Sequence, residues 1–236
     1  MTELAQRSTV SRIWERALDL LFPPRCASCA GFGAFICPSC VAGMATANPP
    51  RCQSCWMPAK ESQCGRCRVR RPAFSGVRSV FVNEGAARDA IYALKFGRLS
   101  AIAPGMSGLM AKLLIEWDPP VQAIVPVPLA GRRRRLRGFD QSELLAREIA
   151  RLTGIPLARR ALVRRRSTAP QSRQAGEGAR RRNVAGAFGP GRRMPIGGVL
   201  LIDDVVTTGA TLDACARVLI SEGGGPVFAL TFARVD

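Results

Sequence analysis

The sequence predicts an α/β protein with a doubly wound, mainly parallel sheet behind a small cysteine-rich module. Apolar residues follow one another without alternation at residues 199–202, which is typical of a strand buried on both faces of a parallel sheet. Helical patterns alternate with such apolar runs along the later part of the chain. Eight of the nine cysteines fall within residues 26–67, which sets a separate module apart from the sheet.

The composition limits the classes of function. The 236 residues, 47% of them apolar, are enough for one α/β domain with a small extra module. The chain contains no histidine, which excludes histidine-based catalysis and metal binding. The formal net charge is +18, and three explanations stay open: an anionic substrate, nucleic acid, or a solvated basic face.

We expect a cytoplasmic protein without a membrane span. No apolar run reaches the roughly 20 residues that a span needs, and no apolar signal core lies near the first residue. Residues 9–21 predict a short amphipathic helix that ends at two prolines. We therefore expect a helix within residues 1–22, the cysteine module at residues 23–71 and the main domain at residues 72–236.

The cysteines of the module form four pairs of the type CxxC. One such pair can hold half of a tetrahedral metal site, so eight thiolates predict two closed sites for structural Zn²⁺. Sequential pairing of the CxxC motifs is our expectation, with interleaved pairing open. A disulfide scaffold and a redox motif are the alternatives. The eight residues are Cys26, Cys29, Cys37, Cys40, Cys52, Cys55, Cys64 and Cys67.

The main domain is expected to begin near Phe74 and to alternate strands with helices. In helix 141–152 we expect Leu145, Ile149 and Leu152 on one apolar face, with Gly154 as the end. Cys215 is expected to be a small buried apolar residue of a late helix. The predicted strands are residues 77–82, 121–127, 155–163 (an edge strand or part of a hairpin) and 226–233; the other predicted helices are residues 85–96 and 101–115.

The stretch at residues 199–211 carries the clearest chemistry. Asp203 and Asp204 are expected where the apolar strand ends, and a loop of hydroxyl residues with Gly209 follows before a helix. Backbone N–H groups at such a helix start can hold a phosphate, whereas two carboxylates can accept hydrogen bonds from sugar hydroxyls. The pattern therefore indicates a ligand such as ribose 5-phosphate, and an ordinary surface turn is the alternative.

This stretch resembles the phosphoribosyl-pyrophosphate (PRPP) motif of type I phosphoribosyltransferases. The resemblance implies the type I phosphoribosyltransferase fold. It also implies that Asp203 and Asp204 hold the ribose 2- and 3-hydroxyls, and that the following loop holds the 5-phosphate. The residues of that loop are Val205, Val206, Thr207, Thr208, Gly209, Ala210 and Thr211.

Three cationic residues are candidates for the diphosphate of PRPP. Lys95 lies at the end of a predicted helix, where a solvated lysine is the alternative explanation. Arg137 precedes Gly138 and a helix start. Residues 164–182 are polar and rich in arginine, which indicates either a disordered basic loop or a lid that brings an arginine such as Arg181 to the leaving group.

A second resemblance covers the chain from about residue 20 onward. The segments VPVPL (residues 125–129), RGFDQ (137–141), YALKF (92–96) and RNVAGAF (182–188), together with the two predicted zinc sites, are similar to the ComF family. The resemblance implies a link to natural competence, with single-stranded DNA and other competence proteins as partners. Asp140 departs from this pattern, where asparagine is expected, and places a carboxylate near the expected diphosphate site.

Two hypotheses about function follow. The first is a transferase that displaces pyrophosphate from PRPP with the help of Mg²⁺, with an unknown acceptor. The second is a protein that senses PRPP or binds single-stranded nucleic acid without catalysis. Aromatic residues make up only 6% of the chain and few lie among the arginine runs, so a dedicated base-stacking groove is not expected.

Overall fold

The computed structural model describes residues 23–165 and 186–236. The predicted helix at residues 9–21, Arg181 and most of the predicted lid lie outside the described residues. Strands and helices are labelled below in chain order within the described ranges.

The strands form one parallel sheet and one small antiparallel pair. The parallel sheet has four strands in the order β1-β6-β5-β2, and the antiparallel pair joins β3 to β4. The predicted α/β class with a mainly parallel sheet is confirmed. Of the segment 155–163, predicted as an edge strand or part of a hairpin, only Leu162 and Val163 lie in a strand, and that strand pairs with one distant in sequence. The strands are β1 (Gly76–Val82), β2 (Ala123–Pro126), β3 (Leu162–Arg164), β4 (Phe188–Pro190), β5 (Val199–Val206) and β6 (Val227–Arg234).

The predicted helices of the main domain are present, with ends shifted by one or two residues. A 3₁₀ turn at Ser100–Ile102 delays the start of one helix, and the arginine run before Gly138 forms a short helix that the sequence did not predict. The helices are α1 (Pro38–Ala42), α2 (Gly65–Val69), α3 (Gly85–Lys95), α4 (Ala103–Trp117), α5 (Gly131–Arg137), α6 (Gln141–Thr153) and α7 (Ala210–Ser221).

Helices α3, α4 and α6 cover one face of the parallel sheet. Their apolar residues pack against Ile124, Leu200 and Phe232 of the strands. Leu145 and Ile149 of α6 are fully buried there, as predicted, and α6 ends at Gly154 in the left-handed conformation. The prediction for Leu152 is wrong: its side chain is 45% exposed, and Ala150 and Ile155 make the apolar contacts near the helix end instead.

The second face of the sheet is covered partly by α7 and partly by the cysteine module. Cys215 of α7 is fully buried in this core, as predicted, and burial raises its pKa well above the ordinary value. The same core contains Val77, Val227 and Ala229 of the strands. The later cysteines of the module also belong to it: Cys52, Cys55 and Cys67 are buried among these apolar residues. The module therefore occupies a position that a further helix usually fills in a doubly wound fold.

Polar contacts also fasten the module to the sheet. Arg234 at the end of β6 is fully buried and donates to the carbonyl oxygen of Cys55 at 2.9 Å. Asp236 accepts from Arg234 at 2.5 Å and from Arg51 of the module at 2.8 Å. Because a buried guanidinium that loses its partners is costly, these contacts couple the module to β6.

The two cysteine groups are predicted to differ in their effect on stability. We expect Cys67→Ser, in the buried group, to lower the free energy of unfolding of the main domain by on the order of 4 kcal/mol, because it removes a metal ligand inside the shared core. Cys40→Ser occupies the same place in the first group, whose cysteines are partly exposed apart from Cys26, and should cost less. Thermal unfolding followed by circular dichroism, with metal analysis of each variant, measures this. Equal losses of stability would contradict the shared core.

Candidate functional site

The acidic pair lies inside strand β5 rather than at its end. The strand continues to Val206, so Asp203 and Asp204 precede its last residue by three and two positions. The expectation that the strand ends at the pair is therefore wrong. The extended backbone continues because β5 stays paired with β6 as far as Val206 and Arg234.

Lys95 neutralises one member of the pair. Its Nζ lies 2.9 Å from Oδ1 of Asp204, and the two side chains are 19% and 6% exposed. This burial excludes the alternative of a fully solvated lysine. A largely buried ion pair must have a short separation to offset the cost of desolvating both charges. The position of Lys95 at the end of α3 allows the 2.9 Å separation from Asp204.

Asp203 is held by different partners. Its Oδ1 accepts a hydrogen bond from the hydroxyl of Ser142 and another from the backbone N–H of Asp204, both at 2.9 Å. Burial, and then the charge of Asp204, raise the pKa of Asp203 to about 7, while Lys95 and Ser142 oppose that shift. Ser142 was not a candidate from the sequence, because its contact joins residues 61 positions apart.

The loop after β5 is shorter than predicted and leads directly into α7. Val205 and Val206 of the predicted loop belong to β5, and Ala210 and Thr211 belong to α7. Gly209 caps the helix with φ of +76°, a backbone conformation that glycine adopts without strain. Thr208 accepts a hydrogen bond from the N–H of Ala210 through its hydroxyl at 3.4 Å, and Thr207 is exposed. The first N–H groups of α7 thus lie next to a turn that carries the hydroxyl side chains of Thr207 and Thr208. Backbone N–H groups and hydroxyls in this arrangement can bind an anion.

Arg137 contacts the residue that follows α3 and the first residue of α6. Its guanidinium lies 5.1 Å from the centre of the Phe96 ring and donates to Oε1 of Gln141 at 2.9 Å. Phe96 directly follows Lys95, so the structure brings Arg137 close to the end of α3, where the acidic pair is bound.

Asp140 has a structural role that the sequence did not indicate. Its carboxylate caps α6 by accepting from the N–H of Glu143 at 3.3 Å, and it also accepts from the N–H of Leu129 at 2.9 Å. Burial raises its pKa. The side chain therefore ties the loop after β2 to the start of α6, instead of standing free in the expected diphosphate site.

A large basic cavity lies beside α6. We call it the arginine cavity; its volume is about 660 Å³ and Arg134, Arg159, Arg160, Arg192, Arg193 and Glu143 contribute to its lining. Glu143 forms ion pairs with Arg159, with Arg147 at 3.6 Å and with Arg134 at 3.9 Å. One carboxylate among five lining arginines leaves a strong excess of positive charge. The sequence did not predict the cavity because its arginines come from three separate segments.

The cysteines form two groups of four, paired sequentially as predicted. Within each group all four sulfur atoms lie within 4.8 Å of one another: Cys26, Cys29, Cys37 and Cys40 in the first, and Cys52, Cys55, Cys64 and Cys67 in the second. The Sγ atoms of Cys55 and Cys64 are 3.6 Å apart, close to the roughly 3.8 Å edge of a tetrahedron with 2.3 Å Zn–S bonds. The donor set and its spacing fit structural Zn²⁺, and interleaved pairing is excluded.

Among the residues that the structure describes, no helix has both the length and the apolar character to cross a membrane. The cytoplasmic location and the division at residues 22 and 71 stay predictions.

Comparison with known proteins identifies the family. Residues 17–68 match the family model of the double zinc ribbon domain. The chain is 34% identical over 186 residues to the DNA utilization protein YhgH of Escherichia coli, covering 75% of this chain and 80% of that protein. Competence protein F of Haemophilus influenzae is 36% identical over 101 residues, covering 42% and 44% of the two chains.

A third relative aligns over most of the chain. Competence protein ComFC of Bacillus subtilis is 28% identical over 216 residues, which cover 88% of this chain and 83% of that protein. The zinc ribbon match agrees with the two four-cysteine groups of the structure. The chain belongs to the ComF family of competence-related proteins, with structural Zn²⁺ in a double zinc ribbon.

Proposed function

We propose that this chain binds PRPP and transfers its phosphoribosyl group, with displacement of pyrophosphate. The observation that supports this most is the position of the buried Lys95–Asp204 ion pair on β5, two residues before the loop that turns at Gly209 into α7. One edge of the sheet thus offers carboxylates for sugar hydroxyls and N–H groups for a phosphate, a few residues apart.

Each end of PRPP has a proposed partner. The segment at residues 205–211, which runs from the end of β5 through the loop to the start of α7, receives the 5-phosphate. Asp203 and Asp204 accept hydrogen bonds from the ribose hydroxyls. When the ribose hydroxyls donate hydrogen bonds to Asp204, Lys95 can bind the diphosphate, together with Arg137 and Arg181. Mg²⁺ bound to the oxygens of PRPP itself would neutralise further charge on the leaving group.

The proposed reaction needs little covalent participation by the protein. Breaking the bond from ribose C1 to the diphosphate leaves positive charge on the sugar and negative charge on the leaving group. The cationic side chains stabilise the departing pyrophosphate, while the loop and the carboxylates hold the ribose still. The acceptor supplies the new bond to C1.

Asp204→Asn is predicted to weaken binding of PRPP in the presence of Mg²⁺ by about tenfold to a hundredfold, because it removes a charged acceptor of a ribose hydrogen bond. Isothermal titration calorimetry measures the dissociation constant. Asp118→Asn makes the same charge change at an exposed left-handed position that asparagine tolerates, and should bind as the wild type does. Wild-type protein that binds no PRPP, or Asp204→Asn protein that binds it normally, would refute the proposal. A pyrophosphate-release assay across candidate acceptors then tests the transfer step.

The pH dependence of binding is predicted to identify Asp203. Because its pKa is about 7, Asp203 is mostly protonated at pH 6 and mostly ionised at pH 8. A carboxylate accepts more hydrogen bonds than a carboxylic acid, so ionisation favours ribose binding. Asp203→Asn removes this step, and the ratio of its dissociation constant to that of the wild type should rise by about tenfold between pH 6 and 8. Titration of PRPP itself cancels in the ratio, and a constant ratio would contradict the role of Asp203.

We propose nucleic-acid binding as a second function, and the arginine cavity is the observation that favours it. Five arginines around one carboxylate can neutralise several phosphates of a single strand. The names of the relatives, a DNA utilization protein and two competence proteins, agree with this chemistry. Such binding is compatible with the transferase and with a non-catalytic role.

Substitution of cavity arginines should weaken binding of a single-stranded oligonucleotide and reduce its salt dependence. The double variant Arg160→Ala with Arg193→Ala is expected to lower the slope of log affinity against log salt by about 1.4, since each phosphate contact on a single strand contributes about 0.7. Fluorescence anisotropy at several salt concentrations measures the slope. Arg151→Ala removes an exposed arginine that pairs with Glu148 and serves as the control. An unchanged slope in the double variant would exclude the cavity as the binding site.

A further inference from the structure

The second zinc ribbon touches the loop proposed to hold the 5-phosphate. The chain leaves α2 and crosses that loop on its way to β1. In this crossing, the N–H of Ala73 donates to Oδ1 of Asp213 in the first turn of α7 at 2.7 Å. Phe74 is buried beside the loop, where a Cβ on Gly209 would stand 3.5 Å from its ring. The loop is therefore supported from behind by a segment that begins at the ribbon.

Arg66 and Arg70 of the ribbon face the same loop. Both line a narrow cleft that Thr208 and Gly209 close from the other side, and we call it the ribbon cleft. Arg66 lies in α2, and Arg70 follows the last residue of that helix in an extended conformation, whereas Arg68 between them is 56% exposed and pairs with Glu61. The side chains of Arg66 and Arg70 therefore line the ribbon cleft, whereas the side chain of Arg68 is exposed.

The ribbon cleft is too small for the ligand itself. Its volume of about 10 Å³ corresponds to roughly one water molecule, so a phosphate held by the loop lies on the other side of the loop backbone. The arginines would therefore act on that phosphate through their charge, across the loop backbone, and salt screens such an interaction over a length of about 10 Å at 0.1 M.

A four-thiolate zinc site at this position is negatively charged and therefore repels an anion bound nearby. Four thiolates and one Zn²⁺ sum to −4 + 2 = −2, and Cys55 and Cys67 of the second group line the ribbon cleft. A net charge of −2 next to a phosphate site repels the ligand. Arg66 and Arg70 add +2 in the same cleft. Asp213 also lines it, but its charge is offset by Arg217, which lies 3.2 Å from its carboxylate. Arg66 stands between the two metal ligands Cys64 and Cys67 in the chain.

We propose that Arg66 and Arg70 belong to the phosphate site: they offset the charge of the second zinc centre and make the loop at residues 205–211 favourable for the 5-phosphate of PRPP. This inference rests on the proposed function. In this proposal the second zinc ribbon contributes to ligand binding as well as to the apolar core. The two arginines act without touching the ligand, so they are positioning residues of the site.

The test compares three matched arginine variants by calorimetric titration with PRPP and Mg²⁺. The double variant Arg66→Ala with Arg70→Ala should bind about tenfold more weakly than the wild type at 20 mM salt, and less than about twofold more weakly at 0.5 M salt, where charges are screened. Arg68→Ala should stay within about twofold of the wild type at both concentrations. Arg66→Lys with Arg70→Lys should restore most of the affinity, because the charge is kept. Each variant should retain about two zinc ions per chain.

Several outcomes would overturn the inference. The double alanine variant could bind PRPP as tightly as Arg68→Ala does at low salt. That result would show that the charges of Arg66 and Arg70 do not contribute to PRPP binding. A loss that does not shrink with salt, or that lysine does not rescue, shows a structural effect instead of an electrostatic one. Absence of PRPP binding by the wild type overturns the proposed function together with this inference, whereas normal wild-type binding with any of the other results overturns this inference alone.

Discussion

Coordination of the second cysteine group is the interaction on which the rest of the structure depends. Its thiolates are buried in the same core as β1, β6 and α7, so the metal holds together elements that are distant in sequence. The ribbon has few large apolar residues of its own, and metal binding supplies the free energy that its own apolar contacts cannot. Arg234 and Asp236 extend this anchoring from the other direction, by binding the ribbon backbone and Arg51 from the end of β6.

The distribution of charge explains how a strongly basic chain keeps an acidic pair. Two filled zinc sites contribute −8 + 4 = −4, which lowers the formal net charge from +18 to about +14. Against that background Asp203 and Asp204 are adjacent in β5, where burial and the charge of Asp204 raise the pKa of Asp203. Lys95 compensates Asp204, and the hydroxyl of Ser142 compensates Asp203. Each carboxylate of the pair therefore has a polar partner of its own within an otherwise apolar strand.

Local patterns in the sequence predicted the parallel strands, the helices that pack on them and the cysteine groups. Other features, which were not predicted, depend on contacts between residues distant in sequence. The apolar runs of the buried strands, the CxxC spacing and the glycines at positions 154 and 209 each act within a few residues, and the structure agrees with them. The arginine cavity could not be predicted, because Arg134, Arg159 and Arg192 meet only through the arrangement of α5, α6 and the loops around the β3–β4 pair. The exposure of Leu152 has the same cause: helical periodicity is continuous, but the core it faces ends before the helix does.

The first turn of α6 shows why Asp140 carries a carboxylate. Four consecutive residues there bind four different parts of the site: Asp140 holds the loop at Leu129, Gln141 accepts from Arg137, Ser142 donates to Asp203, and Glu143 pairs with arginines of the cavity. An asparagine could accept from the N–H of Leu129, but it would lose the charge that favours a helix start. Because one turn of helix carries all four contacts, a shift of this turn moves the acidic pair and the arginine cavity together. The proposed sites for PRPP and for a nucleic-acid strand therefore share a single rigid support, and the position of that support depends on the cap at Asp140.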